Sequence, residues 1–186
     1  MAFVAIYDAN VLYPASLRDL LVRLAQTGLF QAKWTDQILD EAINAIVLAQ
    51  PELAGRLQRT RELMNDAIRD VRVTGYEHLI DGLELPDADD RHVLAAAIRA
   101  NAQVIVTNNL KDFPTDLLEP YDIEPQSPDE FVLHLLELAP ARVVSVIEHQ
   151  ARALTNPLTT VEELLDRLQA VGLPRSVATI RQLLGS

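Results

Sequence analysis

Apolar positions change their period along the chain, and the changes mark out its elements. Residues 3–7 (FVAIY) form a short continuous apolar run closed by Asp8 and Asn10, the pattern of a buried parallel strand that ends in a polar loop. Leu17, Leu20, Leu21 and Leu24 then recur at helical spacing until Gly28, with Ser16 and Asp19 as a capping pair. A brief strand at 32–34 leads to Thr35 or Asp36 as N-cap of a helix that carries Ile38, Leu39, Ala42, Ile43, Ala45 and Ile46 and halts before Pro51. Leu57, Met64, Ala67 and Ile68 keep helical spacing over 53–70, and 71–73 read as another strand. After Pro86 a helix over 89–100 passes into an apolar strand at 104–107. A short helix at 115–118 and an edge strand at 122–124 close the unit near residue 126. Strands alternating with helices in this way predict βαβ winding around a central parallel sheet, an α/β fold.

The pattern beyond residue 126 is helical only. Ser127, Pro128 and Glu130 supply an N-cap, a proline at the first helical position and a glutamate two residues further on. Further helices are predicted over 141–153, over 161–171 with Thr160 and Glu163 as a capping box, and over 174–184. With no repeat or low-complexity tract in sight, the chain divides into an α/β unit at 1–126 and an α-helical C-terminal extension at 127–186.

Composition narrows the chemistry. A chain of 186 residues, 49% hydrophobic, is long enough to bury a full core. The absence of cysteine removes disulfides, thiolate zinc sites and a cysteine nucleophile. No apolar run approaches a membrane span, and the N-terminus lacks the basic flank of a secretory signal, so a soluble cytoplasmic protein without membrane contact is expected. A net charge of −11 argues against broad affinity for nucleic acid, which normally rests on surplus Lys and Arg. Any nucleic-acid role is therefore local.

The acids supply that locality. In an open parallel sheet, ligands sit at the carboxyl ends of the strands. Asp8 closes the first strand, while Asn108, Asn109 and Asp112 follow the strand at 104–107. Glu41 lies in a helix among Leu39, Ala42 and Ile43, where an unpaired charge is costly. In the run PDADDRHVLAAA from residue 86, Asp89 reads as the helix cap and Asp87 as a solvated loop residue, which leaves Asp90 for chemistry. Convergence of Asp8, Glu41, Asp90 and Asp112 would be unfavourable without cations. A hard divalent ion held by oxygens, Mg²⁺ or Mn²⁺, is the expected occupant, able to activate water for attack on a phosphodiester. Asp112 has two other uses open to it, capping the short helix or pairing with Lys111. Asn109 reads as ligand or turn residue, and Thr107 as a hydrogen-bond donor or turn residue. His78, His92, His134 and His149 show no metal-ligand spacing and read as structural or exposed. Arg56, Arg59, Arg61, Arg69 and Arg72 are either a solvated helix face or a contact for RNA or a protein.

Taken together, Asp8 and Asn10 after the first strand (DANVL), Glu41 in mid-helix, the run from Asp90 (DRHVLAAA) and the segment Thr107 to Phe113 (TNNLKDF) resemble the PIN domain, in particular the VapC-type toxins of bacterial toxin–antitoxin pairs. The resemblance covers about residues 1 to 126. It implies a three-layer α/β/α sandwich and a Mg²⁺-dependent endoribonuclease. By position, Asp8, Glu41 and Asp90 match the family's first three acids. Asp112, with Asn109 beside it, matches the more variable fourth corner, and Asn109 stands where many members have aspartate. The resemblance also implies an RNA substrate, homodimerisation through the early helices, and a small cognate antitoxin that blocks the metal pocket with an inserted Arg or Lys. The helical tail is similar to the extension found on a subset of these toxins.

Two other readings compete. A catalytically degenerate PIN-like module would bind RNA or an antitoxin without cutting, a reading that Asn109 and the acidic charge favour. A haloacid dehalogenase-like phosphatase also places an aspartate after its first strand, but it needs a second aspartate two residues on, where this chain has Asn10.

Overall fold

Four strands, β1 (Phe3–Tyr7), β2 (Phe30–Lys33), β3 (Val104–Val106) and β4 (Glu124–Gln126), pair in parallel in the order β2-β1-β3-β4 in the computed structural model, which describes residues 2–185. The registers place Ala5 opposite Ala32 and Val104, and Ile105 opposite Pro125. Ala5, Ile6 and Tyr7 are fully buried, so β1 is covered on both faces, as its continuous apolar sequence predicts. The α/β expectation holds: helices flank a four-stranded parallel sheet.

Between the strands run α1 (Ala9–Leu12), α2 (Ala15–Ala25), α3 (Asp36–Ala49), α4 (Ala54–Ala67), α5 (Glu77–Ile80), α6 (Arg91–Arg99) and α7 (Thr115–Leu118). Thr35 caps α3 by accepting from Ile38 N at 3.0 Å, and Gly28, with φ +78°, supplies the left-handed turn that brings the chain from α2 into β2. Several expectations need correction. The Ser16 and Asp19 cap does not form, because the N-cap of α2 lies two residues earlier at Pro14, whose carbonyl accepts from Arg18 N, and Asp19 pairs with Arg23 at 2.8 Å instead. The strand expected at 71–73 reduces to a single bridge between Trp34 and Arg72. The edge strand lies two residues later than expected. Pro125 is tolerated there because its missing N–H points away from the only neighbour, β3.

After β4 come α8 (Pro128–Leu138), α9 (Pro140–Ala153), α10 (Val161–Ala170) and α11 (Pro174–Gly185), with no further strand among the described residues. Both predicted starts are present: Ser127 accepts from Glu130 N, and Thr160 and Glu163 form a reciprocal capping box. These helices are not a loose appendage. Phe131 of α8 inserts edge-on against Phe30, with ring centroids 5.0 Å apart, and also meets Tyr7 and Phe3 of β1. One hydrophobic core therefore runs from the sheet into the C-terminal helices. Among the described residues, no helix is long and apolar enough to cross a membrane.

Candidate metal centre

The strand order sends the chain from β1 out to β2 and then back across to β3. The carboxyl ends of β1 and β3 are thus the point where strand order reverses, and the polar segments after both strands meet there. Asp8, 4% exposed, is fixed from three sides. One carboxylate oxygen accepts from Ala9 N at 2.8 Å, which makes Asp8 the N-cap of α1; the other accepts from Thr107 Oγ1 at 2.8 Å and Asn10 Nδ2 at 3.0 Å. Asn10 also accepts from Asn108 N at 2.9 Å, and Thr107 Oγ1 accepts from Asn109 N at 3.0 Å. Thr107 is therefore a donor to a carboxylate, one of the two uses its position suggested. This network locks the loop after β3 to the loop after β1. Burial pushes the Asp8 carboxyl above its ordinary range; the bonds from Thr107 and Ala9 oppose the rise, the charge of Glu41 adds to it, and His92 opposes it.

Asp90 ends a 3₁₀ turn (Ala88–Asp90) that leads into α6, and its Oδ2 is buried without a hydrogen-bond partner. Its carboxyl is pushed up to about 6, first by burial and then by repulsion from Asp8, Asp87, Asp112 and Glu41. Asp112, closing the turn Leu110–Asp112, accepts from the Asn109 amide; it does not cap α7, which begins on Pro114 without a side-chain bond. Asp87, Asp90 and Asp112 each present an oxygen within 4.8 Å of the others. Unit charges at that separation repel by roughly 3 kcal/mol per pair at an effective dielectric of ~20, before solvent screening. Asp8 and Glu41 stand outside this tight trio but close enough for their charges to raise the Asp90 pKa. All four predicted acids are thus brought to one rim, with Asn109 beside Asp112.

One assignment within the acidic run is overturned, while Asp87 is exposed as expected. The cap is Asp87, which accepts from Asp89 N at 2.9 Å, and Asp87 rather than Asp89 faces Asp90 and Asp112. A 3₁₀ turn over Ala88–Asp90, rather than a helix begun at Asp89, makes Asp87 the cap. His92 was also open to a closer reading: it is 3% exposed, and its Nε2 lies 2.7 Å from Glu41 Oε1, although the N–H and the oxygen are poorly aligned for a hydrogen bond. The arginines of α4 mostly face acids of their own surface. Arg61 meets Asp36 and Asp40, and Arg59 lies 3.5 Å from Glu62.

The donor set is all oxygen, five carboxylates and an amide, with no thiolate, and it suits a hard divalent cation that keeps part of its water shell. Residues 128–182 match the family described as VapC50 C-terminal domain. A protein of Mycobacterium tuberculosis (strain ATCC 25618 / H37Rv), named "Putative ribonuclease VapC50", is 43% identical over 112 residues, which is 60% of this chain and 65% of that protein. The chain thus spans just under two thirds of the length of that relative. No solved structure matches the chain. Residues 4–111, more than half of the chain, match the family described as PIN domain, and with the acid rim at the sheet's switch point they place this chain in the PIN-domain family.

Proposed function

We propose that this chain is a divalent-metal-dependent endoribonuclease of the VapC type, the toxin of a type II toxin–antitoxin pair, which hydrolyses RNA phosphodiester bonds. The observation that carries the reading is the crowding of Asp87, Asp90 and Asp112 around a buried, unpartnered Asp90 oxygen, with Asp8 and Glu41 on the same rim. A cation sharing the space would relieve that repulsion.

Asp8 and Asp90 would hold the ion, Mg²⁺ with Mn²⁺ able to substitute. Asp112, Asp87 and the Asn109 amide would complete the rim. When bound, the metal supplies Lewis acidity, lowering the pKa of a water and neutralising charge on the phosphodiester. The remaining work falls to side chains. Thr107 and Asn10 both donate to one oxygen of the Asp8 carboxylate and hold it in one orientation, while the other oxygen, which accepts only from Ala9 N, keeps a second lone pair for an ion. Glu41, half-exposed at the rim, is placed to accept a hydrogen bond from the attacking water. The division of labour follows the chain: every acid of the rim lies in 1–126, and 127–186 supports the sheet from behind. RNA as substrate, a cognate antitoxin, a homodimer built on the early helices and a cytoplasmic setting go with this reading.

The test is cleavage of a structured RNA by the purified chain with Mg²⁺, Mn²⁺ or EDTA. Cleavage should require the metal and disappear in Asp8→Ala and Asp90→Asn; full activity in both variants sinks the proposal. One observation favours the alternative, a degenerate module that binds RNA or an antitoxin for regulation: Asn109 donates its amide to the Asp112 carboxylate, filling an oxygen that a metal would use. Tight RNA binding in EDTA with no turnover in Mn²⁺ would select it.

A further inference from the structure

Glu41 poses a physical problem at this rim. It belongs to α3, while Asp90 and His92 belong to α6 and its entry turn, so nothing in the backbone ties its carboxylate to the others. Its side chain has three rotatable bonds and is 42% exposed. Like charges on Asp8 and Asp90 repel it, and water offers an unobstructed place to go. No arginine or lysine is paired with it; the ion pairs of α3 engage Asp36 and Asp40 instead.

What opposes the repulsion is His92. Its Nε2 approaches Glu41 Oε1 to 2.7 Å, close enough for a ring N–H to attract the carboxylate although the two are poorly aligned for a hydrogen bond. The ring is otherwise a poor choice for its place. It lies 3% exposed between the apolar positions of α6, Nδ1 has no hydrogen-bond partner, and Nε2 has only the misaligned Glu41 contact. Burying an imidazole nitrogen unsatisfied is unfavourable, so a leucine would serve packing better than this histidine does.

We propose that His92 is a positioning residue, which holds the Glu41 carboxylate in the acid rim so that the divalent-cation site is complete. The inference rests on the metal-dependent function proposed above. His92 touches neither substrate nor ion. It acts through Glu41, as the outer partners of metal ligands generally do by fixing ligand orientation.

The test is Mn²⁺ binding to the full chain without RNA, followed by electron paramagnetic resonance of the free ion, in wild type, His92→Leu, His92→Gln, Glu41→Gln and the double variant His92→Leu/Glu41→Gln. His92→Leu should weaken Mn²⁺ binding by about tenfold, the lower end of the usual effect of an outer partner. His92→Gln, whose amide N–H reaches nearly as far, should recover most of the loss. In the Glu41→Gln background, removing His92 should change affinity less than about twofold, because the group it acts through is gone. If His92→Leu does not fold, His92→Asn against His92→Gln makes the same comparison, since asparagine keeps the amide but falls one carbon short. Wild-type affinity in folded His92→Leu, equal binding by the Asn and Gln variants, or additive losses in the double variant would each overturn the proposal. Absence of Mn²⁺ binding by the wild type would remove the metal-dependent function itself, a different result from any of these.

Discussion

Asp129 lies in the first turn of α8 and Asp90 immediately precedes α6, so both are acids at the start of a helix, yet their surroundings are opposite. Asp129 is 8% exposed and fully partnered: its two carboxylate oxygens accept from Arg175 N at 3.1 Å and Ser176 N at 2.8 Å, the free donors at the start of α11. Asp90 has a buried oxygen with no donor and four other carboxylates near it. The C-terminal helices repeat the first pattern at their surface, where Arg181 joins Glu162 and Asp166. Carboxylates in the C-terminal region hold the fold together. Those at the rim repel one another and work against it.

The contrast can be broken at several points, the strongest first. Asp90→Asn should lower RNA cleavage more than ~100-fold, beyond what outer partners of a metal ligand contribute, while the metal-free protein should melt no lower than wild type, because a repelled charge has been removed. Cleavage rates and thermal melts in EDTA measure both, and a lower melt would show that the Asp90 charge supports the fold. Phe131→Ala should destabilise by about 3–5 kcal/mol, the usual result of emptying a buried aromatic site, as read by urea denaturation. Asp129→Ala leaves two backbone donors without a partner and should cost ~1–3 kcal/mol without changing the cleavage rate of the folded fraction.

A smaller effect follows from titration. The folded-state pKa of Asp90, about 6, lies above its ordinary value of 3.8. Its contribution to stability is therefore complete below pH 3.8 and is lost as pH rises through about 6. Metal-free wild type should lose stability over that window relative to Asp90→Asn, and saturating Mg²⁺ should reduce the difference above pH 6; parallel urea curves at pH 5 and 7.5 decide it. Smallest of all, Arg181→Ala, at the protein surface, should leave both cleavage and midpoint nearly unchanged.

What the sequence disclosed follows the reach of each interaction. β1 and Asp8 are legible because a buried strand and the acid that ends it are adjacent in the chain, and Ser127 and Thr160 are legible because their caps close within three residues. The core acids could be placed because strand ends predict a rim. Asp87 was hidden, since whether it or Asp89 is the cap depends on one 3₁₀ turn. The Glu41–His92 contact spans two helices far apart in sequence, and no local pattern announces it. Ser16 misled because proline two residues earlier starts α2 by itself.

The bond from Thr107 to Asp8 joins residues 99 positions apart, and β1 pairs with β3 across the same gap. Contacts of such separation form late, after the intervening helices have condensed. A chain still emerging from the ribosome has these acids strung out in solvent, and the rim assembles only once Asp112 has been released and β3 has docked.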